Sequence, residues 1–549
     1  MIERIRLKNF KVFKGEYVMD LKPGLNIIVG ANEVGKSTIL EAIHLCLTGI
    51  IGGRYLGTEL TQYLFNNDVV SDYLSSLRAG SPQQPPEVQI ELFFHDRNNE
   101  LALFMGDGNS NEARDAKGIT LSIKFNEDYR DEYQELVNSG EVKSLPIEYY
   151  EAKWSTFARK DNITLKSIPI KSVMVDSTIS RYQNGSDVYV SRIIQQSLDV
   201  QETVRIAQAY RNARDSFQSD EAVQSVGAKL SGATGITDKK IDLSVEQLSR
   251  NAWESSLVTY IDEVPFQYVG KGEQSVMKTI MALSEKRALS AAIILMEEPE
   301  CHLAYTRLSS LVRLINDNYG DKQFIITTHE SLVANKLNLG NLILMGNGRQ
   351  LYLRDLTKGT QRYFEKLAGY DTLRLILSEK VILVEGSSDE LIVQKAYMDM
   401  HNGRLPIEDG IDVIAVGTSF LRFLEIAEIL GKNVDVVTDN DGNPESLEKK
   451  YARYLGINQR DNIHISYEKS IRLGNNEKLN YNTLENELLI ANGLESVNRI
   501  LNTYYMNEDK LLTYMKNNKT DCALKFFETE EPCKYPPYIL EVVGRDRDE

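Results

Sequence analysis

The stretch Gly30-Ala-Asn-Glu-Val-Gly-Lys-Ser37 matches the phosphate-loop pattern G-x-x-x-x-G-K-[ST] at every fixed position. It follows the apolar run Leu25–Val29 and precedes a helical segment that starts near Lys36, which is the context that this pattern requires. A chance glycine-rich turn is the alternative, and the strand and helix on either side disfavour it. The stretch therefore predicts an α/β domain that binds a nucleotide.

The residue types of this loop suit a phosphate ligand. Glycines let backbone N–H groups close around phosphate oxygens, and the start of a helix adds positive potential. We assign Lys36 to the outer phosphates and Ser37 to a bound Mg²⁺. The other nucleotide contacts that we predict in the loop are Gly30, Asn32, Gly35 and Thr38.

The segment Ile293-Ile-Leu-Met-Glu-Glu-Pro-Glu300 is predicted to be a buried strand that ends in two acids. A carboxylate at that position can hold the Mg²⁺ shell, and its neighbour can activate water. We therefore assign Glu297 to the metal and Glu298 to the water. Two glutamates after a strand are, on their own, more often solvated strand-end residues, so this assignment depends on the phosphate loop.

Two further segments complete the pattern. Val269–Gln274 opens a helix upstream of the acidic strand, and the strand Phe324–His329 ends in a histidine, which alone is more often structural. In this order the four segments resemble the ABC ATPases, particularly their SMC-like and recombination-repair branch. The resemblance implies that His329 contacts the γ-phosphate, and Gly272 could present a backbone amide to a second nucleotide across a dimer. The signature sequence is degenerate and Glu297 replaces the usual aspartate, which argues against fast ATP turnover.

The segment 181–240 interrupts this resemblance, which covers about residues 1–180 and 241–350. It is rich in Gln, Ala, Arg and Glu and lacks strand alternation, which predicts helices. SMC proteins carry long coiled coils at such a point, and this segment is far too short for one. We therefore expect a compact helical insertion that serves dimerisation.

A second group of acids follows two later strands. The segment Val381–Glu390 is an apolar strand, Glu385, a glycine turn and two acids that enter a helix, and Val434–Asp441 is a strand that ends in Asp439-Asn-Asp441. Three such carboxylates cannot stay ionised together without a cation, and Mg²⁺ or Mn²⁺ suits oxygen ligands. Either piece alone is a common turn, but the two together predict a metal site.

This arrangement resembles the Toprim domain of topoisomerases, primases and nucleases of the OLD (overcoming lysogenization defect) family. A Toprim domain behind an SMC-like ATPase is the hallmark of the OLD family, which includes the nuclease subunit of Gabija anti-phage defence and nucleases associated with retrons. The resemblance implies two metal ions. Two of the ligands that the resemblance implies lie in the segment Thr483–Glu487, which could equally be an ordinary acidic start of a helix. The implied ligands are Glu385, Asp389, Asp439, Asp441, Glu485 and Glu487.

The segment Lys519-Thr-Asp-Cys-Ala523 resembles the OLD-family segment that carries an essential lysine. Its polar lead-in and apolar continuation predict a loop that enters a helix. A lysine beside two metals adds positive charge to the transition state of phosphodiester cleavage. A solvated surface lysine is the alternative, and Lys525 is the nearest competitor. The implied catalytic residues are Glu385, Asp439, Asp441 and Lys519, with Glu298 and His329 in the ATPase.

The composition of the chain bears on its mode of DNA binding and on its cellular compartment. A formal net charge of −16 means that any DNA binding must use local grooves and bound metal ions rather than a broad basic field. The four cysteines are scattered without a C-x-x-C pair, which argues against structural zinc and for a reducing cytosol. With no apolar run that could span a membrane and no signal-peptide core, we expect a cytoplasmic protein without membrane contact. The cysteines are Cys46, Cys301, Cys522 and Cys533.

We expect an α/β protein in which an ABC-type ATPase with a helical insertion is followed by a C-terminal Toprim domain of Rossmann-like fold. The expected boundaries are 1–180 for the N-terminal part of the ATPase, 181–240 for the insertion, 241–370 for the C-terminal part of the ATPase and 371–549 for the Toprim domain.

The function that these resemblances imply is an ATP-regulated, divalent-metal-dependent DNA endonuclease of bacterial anti-phage defence. Its cofactors would be ATP and two Mg²⁺ or Mn²⁺ ions. Its partners would be DNA, a second copy of the chain or a dimer of dimers, and either a helicase-like protein or a reverse transcriptase with its small DNA. Two alternatives stay open: a non-nucleolytic ATP-driven DNA clamp or sensor, and a primase-like nucleotidyl transferase, which the missing zinc-binding Cys/His set disfavours.

Overall fold

The computed structural model forms two compact units. The first unit consists of Met1–Asn26 and Ser37–Thr327, and the second of Ile27–Lys36 and Thr328–Glu549. The structure describes residues 1–81, 83–95, 99–140, 142–161, 163–176, 182–183, 186–233, 243–244, 253, 257–284, 291–301, 310, 313, 322–328, 339–346, 348–366, 374–474 and 479–545.

The strands of the described residues are distributed over the whole chain. In chain order they are β1 (Ile2–Lys8), β2 (Glu16–Asp20), β3 (Leu25–Gly30), β4 (Ile50–Ile51), β5 (Arg54–Tyr55), β6 (Val88–Phe94), β7 (Gly118–Phe125), β8 (Tyr150–Thr156), β9 (Ser172–Asp176), β10 (Tyr182–Gln183), β11 (Ser186–Asp187), β12 (Tyr260–Ile261), β13 (Val264–Pro265), β14 (Ile293–Glu297), β15 (Gln323–Thr328), β16 (Leu342–Gly346), β17 (Arg349–Tyr352), β18 (Lys380–Val384), β19 (Ile411–Ala415), β20 (Asn433–Thr438) and β21 (Ile463–Tyr467).

The described residues also form α-helices along the whole chain. They are α1 (Lys36–Thr48), α2 (Leu56–Glu59), α3 (Asn67–Arg78), α4 (Arg130–Ser139), α5 (Val188–Ser197), α6 (Val200–Ser219), α7 (Glu221–Ala233), α8 (Lys271–Ser284), α9 (Lys358–Lys366), α10 (Ser387–Met400), α11 (Phe420–Leu430), α12 (Pro444–Lys450), α13 (Leu484–Leu501), α14 (Glu508–Asn517), α15 (Lys519–Glu528) and α16 (Pro537–Val543). Within the described residues, no helix is long and apolar enough to span a membrane.

The N-terminal strands of the first unit form an antiparallel sheet with the order β2-β1-β6-β7-β8. Its apolar positions are aligned across the strands: Leu7 of β1 lies opposite Ile90 of β6, which in turn lies opposite Leu121 of β7. All three side chains are fully buried. The alternating apolar residues of these segments therefore face one core, as their period of two predicts.

A parallel set of strands in the first unit has β14 in the middle, between β9 and β15. The run Ile293–Met296 is buried throughout, which is typical of a parallel strand that is covered on both faces. Glu297 ends this strand, opposite Thr327 of β15 and Asp176 of β9. Parallel strands bring their carboxyl ends to one edge, where α/β proteins bind ligands.

Three consecutive helices, α5, α6 and α7, lie in the described part of the segment that the sequence predicts to be a helical insertion. They follow the short antiparallel strands β10 and β11, which the sequence pattern does not predict. Helix α6 begins with a capping box, in which Asp199 and Glu202 exchange hydrogen bonds of 2.8 Å. Among the described side chains of α6 none is buried. Its apolar residues Val200, Val204 and Phe217 are exposed.

A buried ion pair ties the start of these helices to α8. Nζ of Lys278 lies 2.8 Å from Oδ2 of Asp187, and each side chain is only 1% exposed. The other oxygen of Asp187 accepts a hydrogen bond of 3.1 Å from the backbone N–H of Val190, in the first turn of α5. One carboxylate therefore holds both α8 and α5.

The second unit contains a four-stranded parallel sheet with the order β19-β18-β20-β21. Its strands are short buried apolar runs, and the helices around it fill a core to which Val384, Leu488 and Phe526 contribute. This arrangement confirms the Rossmann-like fold that the sequence predicts for the C-terminal part. In the same unit β3 pairs in parallel with β16, and β16 pairs antiparallel with β17.

Candidate active site

The phosphate loop connects β3 to α1, as the sequence predicts. Gly30 lies so close to its neighbours that a Cβ atom there would be 2.7 Å from the carbonyl oxygen of Met345. Gly35 has a φ of +98°, which favours glycine. Nζ of the buried Lys36 donates to the carbonyl oxygens of Gly30 at 2.9 Å and Ala31 at 2.7 Å. The loop therefore already curls around the ammonium group that would meet phosphate.

The other predicted residues of the loop differ in exposure. Asn32 is exposed, Ser37 is half-buried and Thr38 is buried. Ser37 and Thr38 belong to the first turn of α1, where backbone N–H groups are not used within the helix. This position suits phosphate or its metal, as the pattern predicts.

The acidic strand ends in a strained backbone. Glu298 has a φ of +40°, a left-handed conformation that non-glycine residues adopt rarely. Its N–H donates to the carbonyl oxygen of Thr327 at 3.0 Å, and Sγ of Cys301 donates to its carboxylate at 3.5 Å. Glu297 is half-buried beside it. The predicted γ-phosphate contact, His329, lies outside the described residues.

The degenerate signature sequence opens helix α8, as predicted. Gly272 is the second residue of the helix. The side-chain amide of Gln274 donates to the carbonyl oxygens of Phe266 at 2.8 Å and Val269 at 2.7 Å, which fixes the preceding turn. The backbone amides of the first helical turn are thereby held in one orientation.

The second predicted site lies at the carboxyl edge of the parallel sheet of the second unit. Glu385 follows β18 directly, and Asp439 follows β20, which is the neighbouring strand. Asp389 lies in the first turn of α10, and its Oδ2 accepts from the N–H of Gly386 at 3.0 Å. Asp441 has a φ of +49° in the turn after β20, and its Oδ1 accepts from Nδ2 of Asn480 at 3.2 Å.

The carboxylates of this edge influence one another electrostatically. Burial raises the pKa of Asp389 to about 6, and the charges of Glu385 and Glu485 add to this effect. Burial likewise raises the pKa of Asp439 to about 7, with further contributions from Asp441, Glu385 and Asp389. The backbone N–H of Leu484, which donates to Asp439 at 3.3 Å, opposes the shift. Five predicted ligands therefore share one electrostatic environment.

Lys519 belongs to the same cluster. Its Nζ lies 3.0 Å from Oε1 of the buried Glu485, and it begins helix α15 after a loop residue, as predicted. Partial burial acts to lower the pKa of Lys519, but the charge and hydrogen bond of Glu485 outweigh it, so the pKa lies above its ordinary value. Asp389 and Asp439 also attract the ammonium group.

The competitor lysine and the sixth predicted ligand have protein partners of their own. Nζ of Lys525 donates to the carbonyl oxygen of Leu501 at 2.7 Å, so it holds α15 to the end of α13. Arg472 binds both oxygens of the buried Glu487, at 3.0 and 3.3 Å. The sequence did not predict the partner Arg472.

The donor set fits a hard divalent cation, because it consists of carboxylate oxygens. One oxygen of Glu485, Oε2, and the hydroxyl of Thr483 are buried and have no hydrogen-bond partner within the described part of the chain. Among those same residues, however, no three Asp, Glu, His or Cys side chains stand close enough together to hold a metal ion as they are placed. Binding would therefore require some of these carboxylates, such as that of Asp389, to turn from their present positions.

Sequence reasoning missed the polar residues that hold the cluster from outside. Asn440, between the two aspartates, donates to the carbonyl oxygens of Glu468 at 2.6 Å and Ser470 at 2.8 Å. Nζ of Lys516 donates to the carbonyl oxygen of Asn480. Burial and the charge of Lys519 lower the pKa of Lys516 against the attraction of the acids. No motif marks these residues, since their role follows from where loops meet.

Two separate regions of the chain match known protein families. Residues 4–263 match the family described as AAA domain, and residues 376–441 match the Toprim domain of the overcoming lysogenization defect protein-like family. Endonuclease GajA of Bacillus cereus is 20% identical over 100% of this chain and 88% of its own length. The chromosome partition protein Smc of Synechocystis is 31% identical over 23% of this chain and 10% of its own length.

A solved SMC head bound to the C-winged helix domain of ScpA aligns with 64% of this chain and 98% of its own, at 14% identity and a TM-score of 0.33, which is too low to establish a shared fold. The two family matches fall on the phosphate loop and on the Glu385–Asp441 edge of the second sheet. The chain therefore carries an ATPase domain of the AAA type and, C-terminal to it, a Toprim domain of the overcoming-lysogenization-defect-like type.

Proposed function

We propose that the chain is an ATP-regulated, divalent-metal-dependent DNA endonuclease. The observation that carries this proposal is the cluster at the edge of the Toprim sheet, where Lys519 and the predicted carboxylates share one environment. Burial, with added repulsion between neighbouring carboxylates, raises the pKa of Asp389 and Asp439, which is the pattern expected where a cation completes the site. The likeness to endonuclease GajA supports the same activity.

The residues that would hold metal are the acids that the sequence singled out. Bound divalent ions supply positive charge for the attacking and leaving oxygens of a phosphodiester and lower the pKa of water. Glu485 contributes a buried oxygen without a hydrogen-bond partner among the described residues. Glu487 would join only by releasing Arg472. The proposed ligands are Glu385, Asp389, Asp439, Asp441, Glu485 and Glu487.

Lys519 would act on the DNA backbone itself. Its side chain is 53% exposed, so the ammonium group can reach a phosphate oxygen while Glu485 keeps it at the cluster. A fixed cation at that point stabilises the negative charge that develops on the phosphate oxygens. Together with Lys516 and Arg472, it provides positive side chains at this edge of a chain whose formal net charge is −16.

The nucleotide site would regulate cutting. In this site Lys36 and the loop amides would bind the phosphates, and Ser37 and Glu297 would hold Mg²⁺. Glu298 and His329 would catalyse slow ATP hydrolysis. We propose that ATP gates the nuclease, because no segment of the chain resembles a translocating helicase. Gly272 would contact the nucleotide of a second copy.

We further propose that the chain assembles through its helical segment and acts in defence against phage DNA. The exposed apolar residues Val200, Val204 and Phe217 on α6 give a homodimer or a dimer of dimers a surface to bury. The defence role and a helicase-like or reverse-transcriptase partner rest on the OLD-family resemblance. Loss of phage protection on Asp439→Ala, in a bacterial host that carries the gene with its neighbours, would support the defence role.

Supercoiled plasmid is the substrate that tests the activity. With Mg²⁺ or Mn²⁺ we expect nicked or linear products, and with a chelator none. A protein that binds plasmid in an ATP-dependent manner but leaves it intact with either metal would instead be a clamp or sensor. Primer synthesis from nucleoside triphosphates on a single-stranded template would point to a primase-like enzyme.

A further inference from the structure

Lys516 lies in the last turn of α14, three residues before Lys519. Its Nζ donates to the backbone carbonyl oxygen of Asn480, in the loop that precedes α13. It is half-buried and lies close enough to Glu485, Asp439 and Asp441 for their charges to act on it. Partial burial and an engaged ammonium group distinguish it from a solvated surface lysine.

Asn480 connects this lysine to the carboxylate cluster. Its Nδ2 donates to Oδ1 of Asp441 at 3.2 Å, and its Oδ1 accepts from the N–H of Asn482 at 2.9 Å. Asn482 in turn is bound to the backbone of Arg472 on both sides, at 2.6 and 3.0 Å. The loop is therefore held by the carboxylate of Asp441, by the backbone of Arg472 and by the ammonium group of Lys516.

Asp441 depends on such support because it is exposed. Its backbone is left-handed, in a turn after β20, and an exposed carboxylate in a turn loses side-chain entropy whenever it is held in one rotamer. A hydrogen bond from Asn480 restricts that freedom in advance. Groups that orient metal ligands in this way typically affect metal affinity as strongly as some ligands do.

From this geometry we infer that Lys516 is a positioning residue of the Toprim site: through Asn480 it holds Asp441 ready for the divalent ion. The inference rests on the proposed metal-dependent function. This role predicts the direction in which the affinity for a divalent cation changes when Lys516 is substituted. A lysine that acted only by its charge would repel a cation, so its removal would tighten metal binding. A lysine that positions Asp441 must weaken metal binding when it is removed.

The test is Mn²⁺ binding by the full-length protein without DNA, followed by the electron paramagnetic resonance of free Mn²⁺. We expect Lys516→Met and Asn480→Ala each to weaken binding about 10-fold. Lys516→Arg, which keeps the charge and the donor, should restore affinity near to wild type. The double variant should be no weaker than either single one, because both remove the same support.

Equal or tighter Mn²⁺ binding by Lys516→Met, or additive losses in the double variant, would overturn the inference. Amide hydrogen exchange of the 479–482 loop in metal-free protein gives a second readout, since Lys516→Met should speed exchange there and Lys516→Arg should not. Unchanged exchange in Lys516→Met would also overturn it. A wild-type protein that binds Mn²⁺ but cuts no DNA would reject the proposed nuclease and leave the positioning role intact.

Discussion

Nζ of Lys519 lies 3.0 Å from Oε1 of Glu485, while Oε2 of the same carboxylate is buried without a hydrogen-bond partner among the described residues. One oxygen is thus engaged by a cation of the protein, and the other remains available for a second positive group. This pairing places a lysine and a predicted metal ligand side by side, as the proposed mechanism of phosphodiester cleavage requires.

Lys519→Ala should slow DNA cutting about 100-fold or more, because a fixed positive charge near the developing oxyanion is lost. Metal and ATP binding should persist. Lys525→Ala is the matched control: its ammonium group bonds the carbonyl oxygen of Leu501, away from the acids, so cutting should change little. Plasmid cleavage rates measure both variants. Wild-type cutting by Lys519→Ala would show that the charge comes from elsewhere.

Substitutions should separate ATP binding from DNA cutting. Lys36→Ala should weaken ATP binding at least about 10-fold, because the phosphates lose a charge-assisted hydrogen bond. Asp439→Ala with Asp441→Ala should abolish cutting and leave ATP affinity nearly unchanged, since neither aspartate belongs to the phosphate loop. Calorimetry with ATP and plasmid cleavage give the two readouts. Undiminished cleavage by the double aspartate variant in clean preparations would reject the nuclease assignment.

Phe217→Glu should disrupt the oligomer, because it places a charge on the exposed apolar surface of α6. Light scattering at micromolar concentration, with and without ATP, should show a dimer or larger for the wild type and a smaller species for the variant. Leu103→Glu is the control, since Leu103 is a similarly exposed apolar residue outside the helical segment. A monomeric wild type under both conditions would contradict the assembly proposal.

Stability should fall in acid partly through His44, in helix α1. Burial lowers its pKa from 6.5 to about 4, and its Nδ1 lies 3.2 Å from Oγ of Ser172. The unfolded chain takes up the proton near pH 6.5 while the folded chain resists it. Stability therefore declines as pH falls from 6.5 towards 4 and levels off below, by at most about 3 kcal/mol from this residue.

The variant His44→Gln isolates that contribution, since glutamine can still bond Ser172 and does not titrate. Urea unfolding of wild type and variant above pH 6.5 and near pH 4 should show a smaller acid loss in the variant. Equal losses in the two proteins would mean that His44 has the same pKa in the folded and in the unfolded chain, and would contradict the prediction.

The parts of the site that could be predicted from the sequence are those that follow strand ends. Glu385 and Asp439 follow the apolar strands β18 and β20, and parallel strands necessarily bring their carboxyl ends together. The phosphate loop was equally predictable, because G-x-x-x-x-G-K-[ST] demands a strand before it and a helix after it. In both cases local pattern and chain topology determine the placement.

The remaining contacts depend on tertiary packing, which the local pattern does not specify. The bidentate pair of Arg472 with Glu487 joins a loop to a helix, and Lys516 reaches a backbone carbonyl 36 residues earlier in the chain. A lysine or arginine in such a segment looks like any solvated residue until its partner is known. The domain boundaries and the roles of the metal ligands stay predictions.

The buried pair of Asp187 and Lys278 has a mechanical consequence. Moving α8 away from the start of α5 would separate two opposite charges in a buried environment. Breaking such a buried ion pair costs about 3–5 kcal/mol. Thermal motion at 25 °C rarely supplies that energy, so we expect the two helices to move together. A tilt of α8 would then carry the base of the helical segment with it.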